Sequence, residues 1–212
     1  MNFPGRLPRL PREYYQGDAF VHWTLTLHNR ATGWLTDTFH ARFRELMIHA
    51  AAREGLFCPT YCLMPDHLHL LWLGLRRDSD QLNGMAFLRT YLEPALVGDE
   101  VASRPDERDL KHKEHSLRCA LPRIRFQPQA HDSVLREQER EHGTLAKACF
   151  YLLDNPVQAK LVSLPAEWRF SGAIVPGYPT LQPLNADFWE KFWKLYTAAR
   201  QPDAGNLKRP SF

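Results

Sequence analysis

From Phe20 to Asn29 the chain reads FVHWTLTLHN, and its apolar and polar positions alternate. Val21, Trp23, Leu25 and Leu27 fall on one side, with His22, Thr24, Thr26 and His28 on the other, which predicts a strand with one buried and one polar face. The period then changes. Phe39, Phe43, Leu46, Met47 and Ala50 recur at helical spacing over about Thr38 to Glu54, where Thr36 or Asp37 can cap the helix and Gly55 can close it. The runs LFCPTYCLM and HLHLLWLGL read as two strands, separated or bulged at Pro65, because proline has no N–H to give a ladder. A second helix is predicted over Asp80 to Glu93 and weakens at Pro94.

Beyond Gly98 the pattern dissolves into charge as far as about Leu121, and this stretch reads as an inserted loop or small helical excursion. A polar helix is expected to start near Asp132 or Ser133 and to end at Gly143. Thr144 is then placed to cap a helix containing LAKACFYLLD, and Asn155 with Pro156 reads as the N-cap and first-turn proline of a last short turn. The Pro-rich, Arg-bearing segment up to Gly17 reads as a loosely ordered arm. DFWEKFWKLY reads as an amphipathic aromatic segment, for packing or docking before nucleobase stacking, within a C-terminal extension over residues 179–212. Strand, helix, strands and helices in this order predict an α+β fold, an antiparallel sheet with helices packed on it.

Composition narrows the class without naming a function. The 212 residues suit one domain, the 44% hydrophobic content suits a globular core, and a net charge of +3 permits a nucleic-acid partner without arguing for one. No run reaches the roughly 18 apolar residues of a membrane span, and the N-terminal residues have no apolar signal-peptide core. Cys58, Cys62, Cys119 and Cys149 lack the pairing of a zinc site or disulfide scaffold, so the expected setting is a reducing cytoplasm.

Candidate chemistry centres on YCLMPDHLHLLWL. On a strand His67 and His69 share a face while Leu68, Leu70 and Trp72 take the other, so the two imidazoles can converge on a cation. They can equally be two partly exposed histidines on a polar face, although polar side chains in so apolar a run are costly unless paired. Tyr151 and Asn155 share a helix face, where Tyr151 can be a core aromatic and Asn155 a cap. Asp132 can be a helix cap. His112 and His115 lie in the charged insertion with no evident third ligand. Arg123, Arg125 and Arg136 can be phosphate contacts or solvated surface.

Four segments in order carry more than any one alone. YCLMPDHLHLLWL, RFQPQAHDSVLRE, FYLLDNPVQAKLV and EWRFSGAIVPGY together resemble the REP-associated tyrosine transposases, relatives of the single-tyrosine insertion-sequence transposases within the HUH nuclease superfamily. The resemblance spans about Phe20 to Tyr178. It implies a ferredoxin-like domain over residues 18–178, with a divalent metal held by His67 and His69, Asn155 as a third polar ligand, and Tyr151 as nucleophile. It implies Mn²⁺ or Mg²⁺, and imidazole ligands favour Mn²⁺ of the two. The implied partner is single-stranded DNA beside a REP-type palindromic hairpin, with no membrane, handled by a monomer or homodimer in the cytoplasm at the nucleoid. Arg123, Arg125, Lys147 and Lys160 are then backbone-contact candidates. Asp66, Lys160 and Gly172 depart from the usual Asn, Gly and Ser of the pattern. Two other functions fit the same residues: a domesticated hairpin-DNA binder that cuts little, or a small-molecule metallohydrolase with no task for Tyr151.

Overall fold

The computed structural model describes residues 9–96 and 124–200. Strand β1 (Phe20–Thr26) leads into helix α1 (Asp37–Glu54), then strands β2 (Leu56–Met64) and β3 (His67–Gly74) and helix α2 (Gln81–Leu92). Strand β4 (His131–Val134), helix α3 (His142–Gln158), strand β5 (Ser171–Ile174) and helix α4 (Phe188–Arg200) complete the order. The strands form one antiparallel sheet in the order β4-β1-β3-β2-β5. β1-α1-β2-β3-α2-β4 with β4-β1-β3-β2 adjacency is the ferredoxin-like arrangement, and β5 extends it beside β2. The α+β class expected from the pattern and the ferredoxin-like sheet implied by the resemblance are what the chain forms.

Strand alternation gives the sheet two buried faces. On one, Val21, Trp23 and Leu25 of β1 and Leu68, Leu70 and Trp72 of β3 pack against Phe43 and Met47 of α1 and Leu88 and Leu92 of α2. On the other, Phe20, Phe57, Leu71 and Leu73 are covered by Leu145, Cys149 and Leu152 of α3 and by Phe188, Phe192 and Tyr196 of α4. Each such side chain, fully buried, contributes roughly 1.5–3 kcal/mol. His67 and His69 share the second face with Leu71 and Leu73. The aromatic segment near the C-terminus is therefore part of the core. Among the described residues no helix is long and apolar enough to cross a membrane.

Local signals explain most boundaries. The Thr36 hydroxyl accepts from Phe39 N at 3.1 Å, Gly55 closes α1 at φ 62°, and the Asp80 carboxylate accepts from Asn83 N at 3.0 Å to start α2. Four expectations need correction. His131–Val134 is a strand paired with β1, where no polar helix starts, and Asp132 caps nothing: it accepts from Arg9 Nε at 3.0 Å and from the Tyr15 hydroxyl. Register with β1 decides this segment, over its weak local preference. Arg9 to Gly17, the described part of the supposed loose arm, is docked, with Tyr15 fully buried and Arg12 paired with Asp80 at 2.6 Å.

The third correction concerns α3, which begins before Thr144 and runs through Asn155 and Pro156. Pro156 cannot donate to the Leu152 carbonyl, and Asn155 Nδ2 does so instead at 3.1 Å, so the helix continues where a cap was expected. The fourth is β5, a strand that the pattern of Ser171–Ile174 does not predict. The charged insertion, with His112 and His115, lies outside the described residues.

Candidate active site

Backbone register builds the site. In the β1–β3 ladder Thr24 stands opposite His69 and Thr26 opposite His67, so the polar face of β1 lies beside the two histidines. Their Nε2 atoms face each other at 3.0 Å, with the rings edge to face at 86°. Asp66 Oδ1 lies 2.6 Å from His67 Nδ1, and its other oxygen accepts from Arg30 Nη1 at 3.0 Å. A carboxylate only accepts, so it places the His67 proton on Nδ1 and leaves Nε2 with a lone pair. Burial alone would raise the Asp66 carboxyl, but the hydrogen bonds and charges of His67 and Arg30 outweigh it and hold the group below its ordinary range.

His69 Nδ1 has two neighbours, Thr24 Oγ1 at 3.0 Å and His22 Nε2 at 3.1 Å. Burial, then the charges of His22 and His67, lowers the pKa of His69 to about 3; burial, then His131, lowers that of His22 to about 4. Neutral imidazole is the form that binds metal. At 3.0 Å the His69 Nε2–H can donate to His67 Nε2, or, with the His69 proton on Nδ1, both Nε2 atoms are free to turn a lone pair to a cation. Two nitrogens about 2.1 Å from a cation and at right angles about it lie about 3.0 Å apart, so the pair fits two adjacent ligands of one metal. Among the described residues no group of three or more His, Cys, Asp or Glu converges on such a point. His22 and Thr24 went unassigned in the sequence. The alternation marked them as polar, but not which strand they would face.

The helix-borne candidates lie on α3, over the same sheet face. Its N-terminal residue His142 stacks on Trp193 of α4, near the Phe20 end of β1. Its C-terminal end packs on the turn Pro165–Glu167, and the neighbouring Trp168 donates to the Leu63 carbonyl at 2.9 Å, opposite Leu68 and beside His67. Tyr151 is therefore carried toward the histidine end of the sheet. It is 61% exposed and makes no hydrogen bond among the described residues, to either histidine or to any other group. Lys147, Tyr151 and Asn155 follow at four-residue spacing along one flank. Asn155 spends its amide nitrogen on Leu152 and keeps its amide oxygen.

The basic candidates are scattered. Arg123 lies outside the described residues. Arg125, Lys147 and Lys160 are exposed, with no ion-pair partner among the described residues. Lys160 sits at φ 58°, the left-handed position just past a helix where glycine is ordinarily found. At Gly172 a Cβ would stand 2.9 Å from the Tyr61 hydroxyl, so the serine of the usual pattern has no room unless Tyr61 moves.

No family model matches the chain. It is 22% identical over 160 residues to a Haemophilus influenzae protein provisionally named a REP-associated tyrosine transposase, covering 76% of this chain and 82% of that one. A solved REP-associated tyrosine transposase bound to a REP hairpin superposes with a TM-score of 0.54 at 20% identity, over 77% of this chain and 82% of that one. Sequence and fold resemble the REP-associated tyrosine transposases. The fold, an antiparallel sheet with helices packed on it, is common to that structure and this chain.

Proposed function

We propose that the protein is a REP-associated tyrosine transposase, a metal-dependent endonuclease and strand transferase acting on single-stranded DNA beside palindromic hairpins. The observation that carries this reading is the His67–His69 pair, with its Nε2 atoms facing at 3.0 Å and the His67 tautomer set by Asp66. His67 and His69 would hold Mn²⁺ or Mg²⁺, with the Asn155 oxygen as a third ligand. The cation would neutralise charge on the scissile phosphate.

Tyr151 supplies the nucleophile. Its oxygen bonds to phosphorus as the bond from phosphorus to the 3′ oxygen breaks, leaving a 5′-phosphotyrosine and a free 3′-OH. The phenolic proton leaves to solvent, which reaches this exposed side chain, and the departing 3′ oxygen takes one up. The new ester retains the energy of the phosphodiester, so a strand can be rejoined without ATP. Lys147, one helical turn before Tyr151, lies on the same flank for phosphate contact.

Hairpin DNA from the flanks of the gene, incubated with Mn²⁺, is expected to give a protein–DNA adduct that survives denaturing electrophoresis and disappears in Tyr151→Phe and in His67→Ala. Tight hairpin binding with neither adduct nor cleavage would make the protein a hairpin binder instead. Turnover of a small-molecule ester that is indifferent to Tyr151→Phe would make it a hydrolase.

A further inference from the structure

Well away from the histidines, an open cavity of about 500 Å³ lies between β1, the segment entering α3, and α4. We propose that it seats one unpaired nucleotide of the DNA strand, an assignment that rests on the function proposed above. The cavity falls within the roughly 300–1,000 Å³ of small-ligand sites.

Its walls combine a stacking platform with cations. His142 lies parallel to Trp193, with ring centres 3.8 Å apart and planes 8° apart, and Trp189 stands behind Trp193 at 6.1 Å. This column ends at His142, which is exposed and offers its outer face to another planar ring. The Arg140 guanidinium lies over the Phe20 ring at 5.4 Å and spends Nε on the Leu135 carbonyl. Its two terminal nitrogens have no partner among the described residues. Arg200 lies over Tyr196 at 5.3 Å and is paired with Asp18 at 3.1 Å. Two guanidiniums against one carboxylate leave a positive surplus, centred on Arg140.

A bare anion would leave the aromatic column unused, and an apolar ligand would leave Arg140 without a partner. A nucleotide uses both, its base on His142 and its phosphate on Arg140, the pairing of stacking and basic groups by which single strands are held. The location suits a strand that also passes the candidate active site. Phe20 and Thr24 share one face of β1, and Thr24 stands opposite His69, about 13 Å along the strand. Helix α3 starts at His142 and reaches Tyr151 about 13 Å further on.

The test measures fluorescence anisotropy with two probes, a blunt hairpin and an unstructured oligothymidylate, on the wild type, His142→Ala and Arg140→Gln. His142→Ala removes an exposed ring and is the variant less apt to disturb folding; thermal melts check both. Each variant is expected to bind oligothymidylate about tenfold more weakly, as for loss of one stacked base, and the blunt hairpin as the wild type does. Wild-type affinity of both variants for oligothymidylate overturns the assignment. So does a wild type that binds the hairpin and not the oligothymidylate, and the proposed function then survives. A wild type that binds neither probe overturns both readings.

Discussion

With one oxygen on His67 and the other on Arg30, Asp66 holds a tautomer, and the residue usual at its position, asparagine, would do so without charge. Carboxylate partners of metal-bound histidines are worth about 10–100-fold in metal affinity. Asp66→Ala is therefore expected to weaken Mn²⁺ binding about tenfold or more in calorimetric titration, and Asp66→Asn, which still accepts a hydrogen bond, to recover much of the loss. Equal affinity in the wild type and Asp66→Ala would strip Asp66 of this role. The histidine pair was legible in the sequence because strand periodicity alone puts alternate residues on one face. His22 and Thr24 were legible only as polar positions. Their contact with His69 depends on the offset between β1 and β3, which no local pattern encodes. Asn155 was misread because the proline after it usually starts a helix, while here its side chain mends the bond that the proline removes.

At the scale of elements, the end of α3 carries an identifiable cost. Lys160 holds φ 58° just past the helix, a conformation unfavourable by roughly 1–2 kcal/mol for a residue with a Cβ. Lys160→Gly relieves that strain and gives back part of the gain as entropy of the unfolded chain. A rise in stability of about 1 kcal/mol is expected in urea melts, and an unchanged or lower midpoint would contradict the argument. Long, strongly patterned elements such as β1, α1, β2, β3 and α2 could be read from periodicity and caps. The short edge strands could not. His131–Val134 and Ser171–Ile174 have four residues each, and they are strands because β1 and β2 offer them backbone partners.

For the whole molecule, acid is the condition that the packing resists least. His40 on α1 has Nε2 2.9 Å from the Tyr61 hydroxyl, and burial, then the Arg44 charge, lowers its pKa to about 4, against an opposing pull from Asp37. In the unfolded chain it titrates near 6.5, so the unfolded state binds the proton more readily. The stability this group contributes is present above 6.5 and is lost as pH falls from 6.5 toward 4; the partly buried His22 and His69 act in the same sense. Urea midpoints are expected to fall between pH 7 and pH 5, with a smaller fall in His40→Gln. Identical pH profiles for the wild type and His40→Gln would remove His40 from the account. The same short outer strands also bear on how two copies could meet. Each offers at most four residues of unpaired backbone, of which two face outward with an N–H and a carbonyl apiece, about four hydrogen bonds by the alternating pattern of an antiparallel ladder. A sheet continued from one molecule into the next would be held too weakly by backbone alone, so any lasting association must draw its adhesion from side chains.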